Sequence, residues 1–324
     1  MIESIESISD VKTASQDVNK EIQRSIIGHE NTVQSLMIAI LTGGHVLLDG
    51  LPGTAKTALA MAFARSVDLS VSRIQATPDL MPGDITGTRI YNAKSLDFEF
   101  RPGPIFANIV IVDEINRAPP RTQAALLEAM QESQVTVDGV TSELKQPFIV
   151  IGTKNPIEFE GTFSLSPGQF DRFMFRLMMD YPARSNEVGI LKMKLRVAPK
   201  PEAVVGASAL TAMKDVIRNN VKTGDDILDY IAKVVRNTRD LSQVVLGASP
   251  TASVSLLNAS KGYAAVVHGR DNVTKDDVRA IAFDVLNHRV VVKQESAYSS
   301  EDEGGYGINQ LREILTKSVE SIQV

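Results

Sequence analysis

One octapeptide constrains this chain more than any other feature. Residues 50–57 read Gly-Leu-Pro-Gly-Thr-Ala-Lys-Thr and closely follow an apolar run at 46–48. They depart at one position from the phosphate-binding pattern G-x-x-x-x-G-K-[ST], which joins a strand to a helix. A glycine-rich turn of this kind directs backbone N–H groups at phosphate oxygens, and the N-terminus of the following helix adds partial positive charge. The octapeptide therefore predicts a strand–loop–helix unit that binds a nucleoside triphosphate with Mg²⁺.

The pattern assigns separate tasks to the residues of this loop. Lys56 is expected to reach the β- and γ-phosphates, and the Thr57 hydroxyl is expected to ligate Mg²⁺. Ala55 stands where the last glycine is usual, and its methyl group is tolerated at a negative φ but should exclude a left-handed backbone. For the octapeptide alone, a glycine-rich turn that only closes a strand–helix corner is the alternative. The predicted nucleotide-binding residues of the loop are Gly50, Pro52, Gly53, Thr54, Ala55, Lys56, Thr57 and Ala58.

Composition limits the class of protein. The 324 residues suffice for one large domain or two ordinary ones, and 43% hydrophobic with 23% charged residues is typical of a soluble globular protein. The formal net charge of −5 and the lack of a dense Lys/Arg block disfavour nucleic-acid binding. The sequence has no cysteine, which excludes disulfides and thiolate metal sites and fits a reducing compartment.

No segment predicts export or membrane insertion. The start of the chain is acidic and lacks the basic residues and apolar core of a secretory signal. The longest apolar run, residues 36–41, is far shorter than the ~20 residues that cross a bilayer. We therefore expect a cytoplasmic protein without a membrane span.

Short apolar runs alternate with helical patterns up to residue 182. Such alternation predicts a mainly parallel sheet with helices on both faces and ligands at the carboxyl ends of the strands. The predicted strands are 45–49, 71–75, 109–113, 148–152 and 173–178. The predicted helices of this part are 10–27, 30–42, 56–67 and 121–132.

Two segments interrupt the alternation. Residues 86–106 hold glycine and proline between short extended pieces, and residues 135–145 carry Asp138-Gly139 between alternating apolar residues. An Asp-Gly pair in this context is a strong hairpin signal. Both segments are expected to be hairpins inserted outside the main sheet.

The pattern becomes helical after residue 182. We expect an α/β core over 1–182, a linker over 183–205, a helical domain over 206–292 and a tail over 293–324, whose polar first part is predicted to be mobile. The predicted helices of this part are 207–219, 225–241, 250–268, 275–289 and 308–321.

Two carboxylates end the third predicted strand. Asp113 and Glu114 follow the apolar run 109–112. Adjacent side chains at a strand end point in different directions, so the first can hold a magnesium-bound water while the second polarises the attacking water. A surface Asp-Glu pair is the alternative, which the upstream phosphate loop and the α/β alternation disfavour.

Two further polar residues follow or precede predicted strands. Asn155 can hydrogen-bond the γ-phosphate or the lytic water, or it can be a turn asparagine before Pro156. Arg172 precedes the fifth strand and can stabilise the charge on a transferring phosphoryl group. A salt bridge from Arg172 to Asp171 or another neighbour is the alternative.

Together these motifs resemble the MoxR family of AAA+ ATPases. The resemblance rests on the loop 50–57, the string 113–132, Asn155-Pro156 and residues 165–173, and it spans about residues 25–290. The string 113–132 is much more specific than a generic phosphate loop. Alanine at the position that matches Ala55 is also usual in this family.

The resemblance implies an α/β AAA+ core with a parallel five-stranded sheet, a helix-2 insertion around 86–106, a pre-sensor hairpin at 135–145 and an all-α lid. Asn155 matches the first sensor, and Ile27-Gly28 resembles the segment that lines the adenine pocket. Arg172 matches the arginine finger, which acts on ATP in the neighbouring subunit, so a homo-hexameric ring is implied. The family acts as chaperone-like remodellers of protein partners, often partners with a von Willebrand factor A domain.

One position departs from the family pattern. Residues 247–252 resemble the second-sensor motif, but Thr251 replaces the usual arginine and cannot reach or neutralise a γ-phosphate. In the same string, Ser249-Pro250 is typical of a helix start, with a capping serine before a proline at the first helical position. The usual coupling of lid motion to nucleotide state is therefore not expected from Thr251.

Three functions compete for this chain. The leading one is a Mg²⁺-dependent ATPase that remodels a protein partner. A nucleotide-gated scaffold with little turnover is the alternative that Thr251 motivates. A nucleic-acid motor is less favoured, because residues 135–145 offer no basic cluster with aromatic side chains. The predicted catalytic residues are Lys56, Glu114, Asn155 and Arg172, and the predicted metal ligands are Thr57 and Asp113.

Overall fold

The computed structural model describes residues 4–156, 161–195, 199–293 and 306–320, together with Ile2 and Ile322. The strands of this part are β1 (Val46–Gly50), β2 (Val71–Gln75), β3 (Gly87–Asn92), β4 (Asp97–Pro102), β5 (Ile109–Asp113), β6 (Gln134–Val137), β7 (Val140–Glu143), β8 (Ile149–Lys154), β9 (Phe175–Met179), β10 (Val244–Leu246) and β11 (Val291–Val292). The helices are α1 (Ile8–Gln23), α2 (Glu30–Thr42), α3 (Lys56–Ser66), α4 (Pro82–Thr86), α5 (Pro120–Glu132), α6 (Pro167–Phe170), α7 (Arg184–Lys194), α8 (Ala207–Asn220), α9 (Asp225–Asp240), α10 (Pro250–Tyr263), α11 (Lys275–Leu286) and α12 (Tyr306–Glu320).

Five parallel strands form the central sheet in the order β2-β5-β8-β1-β9. The prediction of a parallel five-stranded sheet is confirmed. Strands β1 and β5 are buried along their whole length because helices cover both faces of the sheet, which is why each begins with a continuous aliphatic run. Strand β2 is at one edge and is mostly exposed. The register sets Gly50 opposite Met179 and Gln75 opposite Asp113, so the carboxyl ends of these strands share one edge.

Buried His45 joins three elements at the start of β1. The Val150 N–H donates to His45 Nδ1 at 3.0 Å, so the ring proton is on Nε2, which donates to the Met130 carbonyl at 3.0 Å. Burial lowers the pKa of His45 to about 4, which keeps the ring neutral. These two hydrogen bonds tie β1 to β8 and to α5.

The two predicted hairpins are confirmed and lie outside the central sheet. Strands β3 and β4 pair antiparallel with each other, as do β6 and β7. The tip of the second hairpin has φ of 50° at Asp138 and 78° at Gly139, the left-handed pair that an Asp-Gly turn favours.

Buried apolar residues form two clusters, one on each face of the sheet. Successive residues of a strand point to opposite faces and so belong to different clusters. Leu48 and Ile111 belong to the first cluster, and Leu47 and Val110 belong to the second. The first cluster continues through α1 and α2 into the helices that follow the core, while the second includes residues of α5 and the β6–β7 hairpin. The helical part is thus packed on the same side of the sheet as the N-terminal helices.

The structure adds elements that the sequence analysis did not predict. Helix α7 lies within the predicted linker 183–205, and none of its side chains is buried, so it carries no amphipathic stripe to detect. Strands β10 and β11 form a two-stranded ribbon in the helical part of the chain, too short to show a period of two. The predicted last helix is present as α12, which packs on α11 and α9 and buries Leu311 and Leu315 in the first cluster. Residues 294–305, which include most of the segment predicted to be mobile, lie outside the described residues.

Among the described residues, the helices are all too short or too polar to cross a membrane.

Candidate nucleotide-binding site

A cavity of about 390 Å³, here called the phosphate cavity, lies at the carboxyl edge of the sheet. The loop after β1, the carboxylates at the end of β5 and the asparagine after β8 contribute to its walls. This is the edge at which open α/β sheets bind their ligands. The described residues that line it are Pro52, Gly53, Thr54, Ala55, Lys56, Thr57, Ala58, Arg73, Gln75, Asp113, Glu114, Thr153 and Asn155.

Two residues of the phosphate loop have a left-handed backbone. Gly53 has a φ of 83° and Ala55, at the N-cap of α3, has a φ of 64°. The expectation that Ala55 would exclude a left-handed backbone was wrong. The tight connection from β1 into α3 overrides the preference of the alanine, at a cost of about 1–2 kcal/mol for a residue with a Cβ.

Gly50 is placed at the end of β1 and lies outside the described lining of the cavity. A Cβ on Gly50 would come within 2.3 Å of the Met179 carbonyl oxygen, so close packing against β9 requires glycine there. Lys56 Nζ donates to the carbonyl of Gly50 and, at 2.8 Å, to that of Leu51. The ammonium group is therefore held inside the loop, where phosphates are expected.

Thr57 and Asp113, the two predicted metal ligands, are in contact. Thr57 Oγ1 donates to Asp113 Oδ1 at 2.5 Å, and Thr153 Oγ1 donates to the same oxygen at 3.3 Å. Asp113 is only 3% exposed. A hydroxyl and a carboxylate are hard oxygen donors of the kind Mg²⁺ prefers, and a Mg²⁺ that also binds nucleotide phosphates needs only one or two protein ligands. The residues present therefore fit the ion.

Arg73 was not predicted to belong to the site. It extends from β2, and its Nε donates to Asp113 Oδ2 at 2.6 Å. Arg73 and Gln75 are two residues apart on an edge strand that pairs with β5, so both side chains lie on one face beside Asp113 and Glu114. Two polar residues at this spacing in a strand next to a pair of carboxylates are the signal that would have indicated them.

Glu114 is held in a strained conformation at the end of β5. Its φ is 55°, which costs a residue with a side chain about 1–3 kcal/mol. Its N–H donates to Thr153 Oγ1 at 3.0 Å, and its Oε2 accepts from Arg117 at 3.0 Å and from Gln75 at 3.4 Å. These contacts hold the carboxylate at the wall of the phosphate cavity.

The other two predicted catalytic residues are in different places. Asn155 is buried and lines the phosphate cavity directly after β8. Arg172 is exposed, follows α6, and lies outside the described lining of that cavity. The alternative for Arg172, a salt bridge to Asp171, does not appear among the described ion pairs, in which Asp171 pairs with Arg289.

Ile27 and Gly28, predicted to line an adenine pocket, border a second cavity of about 310 Å³. The Gln23 amide holds Gly28 from both sides, donating to its carbonyl at 2.9 Å and accepting from its N–H at 3.1 Å. Tyr181 and Asn186, from the segment that follows β9, also line this cavity. Because β9 pairs with β1 up to Gly50, the second cavity lies on the same edge of the sheet as the phosphate loop.

The order of the central strands, the phosphate loop after β1 and the acidic pair at the end of β5 define a P-loop ATPase of the AAA+ class. Residues 45–175 match the model of the "ATPase family associated with various cellular activities (AAA)", and residues 236–304 match the model of an AAA lid domain.

Curated relatives match almost the whole chain. The chain is 43% identical to "Uncharacterized protein YeaC" of Bacillus subtilis, over 86% of this chain and 87% of that protein. It is 40% identical to "Chaperone MoxR1" of Mycobacterium tuberculosis, over 85% of this chain and 75% of that protein. A crystal structure from Cytophaga hutchinsonii, of a protein classed as an ATPase, superposes with a TM-score of 0.86 at 32% identity and covers 98% of this chain and 96% of that one.

The chain belongs to the MoxR family of AAA+ ATPases, and it is an ATP hydrolase. The resemblance drawn from the motifs, the fold class and the prediction of an enzyme are thereby confirmed.

Proposed function

We propose that this protein hydrolyses Mg²⁺-ATP within a ring of identical subunits and uses the energy to remodel a protein partner. The observation that carries the proposal is the contact of Thr57 with Asp113 at 2.5 Å inside the phosphate cavity, beside Glu114. This contact places the Thr57 hydroxyl, the Asp113 carboxylate proposed to bind the metal and the candidate base Glu114 together at the end of the phosphate loop.

Each residue of the phosphate cavity has a distinct task in this proposal. Lys56 binds the β- and γ-phosphates, and Thr57 and Asp113 hold the metal. When bound, Mg²⁺ neutralises the charge that develops on the phosphate oxygens. Glu114 accepts a proton from the attacking water, and Asn155 orients that water from the end of β8.

The second cavity is our candidate for the adenine site. Ile27 and Tyr181 supply apolar surface for the faces of a planar base, and the Asn186 amide can hydrogen-bond its edge. The Gln23 amide fixes the backbone of Gly28, so this wall is already formed.

Arg172 is proposed to act on the nucleotide of a neighbouring subunit. Its side chain is exposed and lies outside the cavity of its own chain, so it is available to an adjacent copy. An arginine acting in trans requires a closed assembly in which every site has such a neighbour, and we propose a homo-hexamer.

A protein is the proposed substrate, and a partner with a von Willebrand factor A domain is the candidate that the family resemblance favours. The name "Chaperone MoxR1" of one relative supports a remodelling role. The net charge of −5 disfavours a nucleic acid. The lack of cysteine is in keeping with the proposed cytoplasmic location. The proposed domain bounds are 1–182 for the core, 183–205 for the linker, 206–292 for the lid and 293–324 for the tail.

The decisive experiment is phosphate release from Mg²⁺-ATP across a series of protein concentrations. We expect the specific activity of the wild type to rise with concentration and to fall by about 10³-fold in Arg172→Ala. Arg218→Ala, which removes an exposed arginine from α8, is the matched control and should behave as the wild type. Activity that depends on neither concentration nor Arg172 would show a self-contained site. ATP binding without turnover in any variant would favour the scaffold instead.

A further inference from the structure

We propose that two residues of the lid, Arg289 and Ser249, position Arg172 for the neighbouring subunit by holding Asp171, its neighbour in the chain. This inference rests on the proposed action of Arg172 in trans. Through Asp171, movement of the lid would change the rate of ATP hydrolysis without involving the residue at the second-sensor position.

Arg289 donates hydrogen bonds to the residues on both sides of Arg172. Its Nε donates to Asp171 Oδ1 at 2.7 Å, and one terminal nitrogen donates to the carbonyls of Asp171 at 3.1 Å and Phe173 at 2.8 Å. The other terminal nitrogen donates to the Met174 carbonyl at 3.2 Å. We call residues 171–174 the finger segment. Three of its four residues are thus hydrogen-bonded to one guanidinium that comes from the chain after α11.

Ser249 completes the contact with Asp171. It occupies the N-cap position of α10, as the sequence predicted, but its side chain makes no capping hydrogen bond. Its hydroxyl donates instead to Asp171 Oδ2 at 2.9 Å. Both carboxylate oxygens of Asp171 are therefore bound by the lid. His288 adds a further contact, from Nε2 to the Phe173 carbonyl at 2.8 Å.

Burial makes this contact rigid. The Arg289 side chain is 2% exposed, and burial lowers the pKa of its guanidinium while the Asp171 carboxylate opposes that change. A buried guanidinium without its partner is strongly destabilising, so separation of the lid from the finger segment is unfavourable. The two should move together, and a rotation of the lid should displace the exposed Arg172.

Thr251 lies two residues after Ser249, in the first turn of α10, and its side chain is exposed. The segment that carries an arginine onto the nucleotide in the family pattern here makes its polar contact with Asp171. The lid of one subunit is thereby linked to the arginine that it offers to the next subunit.

The test uses rings mixed from two inactive variants. Subunits with Glu114→Gln cannot hydrolyse their own ATP but still supply Arg172, while subunits with Arg172→Ala keep an intact site but supply no finger. Mixing them should restore phosphate release at sites where the second type receives Arg172 from the first. Asp171→Asn is then added either to the Glu114→Gln donor or to the Arg172→Ala receiver. Ser249→Ala serves as a second variant, because it removes the hydroxyl without removing a helix cap. Asp240→Asn in the donor, at an exposed carboxylate of α9, is the matched control.

We expect Asp171→Asn in the donor to lower the restored activity by at least about tenfold, since a small misplacement of a catalytic group can cost up to 10² in rate. The same change in the receiver, which has no finger to position, should leave the restored activity in place. Ser249→Ala should show the same asymmetry to a smaller extent. Equal losses in donor and receiver would indicate a merely structural role and overturn the inference, as would full restoration with the changed donor. Failure of the parent mixture to regain activity would refute the action in trans itself, a result that is distinct from either of these.

Discussion

The guanidinium of Arg73 lies 2.6 Å from Asp113 Oδ2, and the hydroxyl of Thr57 lies 2.5 Å from Oδ1 of the same carboxylate. One oxygen of Asp113 thus faces the proposed metal ligand, while the other faces a cation on the neighbouring strand. A cation at this distance attracts the carboxylate and competes with a metal ion for it. The affinity of the site for Mg²⁺ should therefore depend on Arg73.

Replacing Arg73 by alanine should lower the Mg²⁺ concentration that half-saturates ATP hydrolysis. Because the Arg73 side chain is 55% exposed, solvent screens the ion pair, and we expect a change of roughly threefold. The measurement is phosphate release at saturating ATP over a Mg²⁺ titration, with EDTA abolishing turnover in both proteins. Arg65→Ala, at an exposed position in the last turn of α3, is the control. An unchanged or raised Mg²⁺ requirement in Arg73→Ala would contradict the competition.

Glu114→Gln should separate nucleotide binding from hydrolysis. The amide keeps the shape of the side chain but cannot take a proton from water, so the turnover rate should fall by about 10²-fold or more. Binding of ATP, measured by calorimetry, should stay within about threefold, since the phosphate loop is untouched. Glu132→Gln, at the exposed end of α5, should leave both quantities as in the wild type. Normal hydrolysis by Glu114→Gln would remove this residue from the role of base.

Ala55→Gly should stabilise the protein. The φ of 64° at position 55 is unfavourable for alanine and open to glycine, and the gain should be up to about 1 kcal/mol after the greater unfolded-state freedom of glycine is subtracted. We expect the thermal midpoint, followed by far-UV circular dichroism, to rise by about 2 °C. Ala124→Gly, at an exposed interior position of α5, should lower the midpoint instead because helical backbone disfavours glycine. A lower midpoint for Ala55→Gly would show that its left-handed backbone is not strained.

Asp284 on α11 should make stability depend on pH. Burial raises the pKa of its carboxyl from 3.8 to about 6, and Arg312 of α12 opposes this only in part. The folded protein then binds the proton more tightly than the unfolded chain. The free energy of unfolding therefore falls as the pH rises from about 4 to about 6, and it stays lowered at higher pH.

Asp284→Asn should remove this loss. At pH 7.5 the variant should be more stable by about 3 kcal/mol, and the difference should vanish below about pH 4. Urea unfolding followed by circular dichroism at several pH values measures it. Asp215→Asn, which neutralises an exposed carboxylate on α8, should give a small difference without this pH dependence. A constant difference across the pH range for Asp284→Asn would show that the carboxyl titrates at its ordinary pKa.

Most of the fold could be predicted from the sequence because its signals are local. Strands such as β1 and β5 are runs of aliphatic residues bounded by turn residues, and their length and flanks identify them without knowledge of their neighbours. The Asp138-Gly139 turn specifies its hairpin in the same way. Helix α7 was not predicted because it buries no side chain. A helix without a buried face needs no periodic apolar residues in its sequence.

The chemical residues of the site follow the same division. The types of residue at 50–57 and 113–114 indicate phosphate, metal and base because those chemistries need these groups at these spacings. Arg73 was missed because its importance comes from the pairing of β2 with β5, which brings it to Asp113 from 40 positions away in the chain. The backbone of Ala55 was wrongly expected because the geometry of a closed loop, and not the preference of one residue, sets its φ.

The sequence by itself determined the class of protein, the order of its elements and the residues proposed to meet the nucleotide, since each of these follows from local pattern and spacing. Only the tertiary structure decided which groups face one another. In the folded protein, Asp171 pairs with Arg289, 118 positions away in the chain. The Ser249 hydroxyl donates to Asp171 of the finger segment and does not cap its own helix. Contacts between residues distant in the chain depend on how whole elements pack, and no local pattern specifies them.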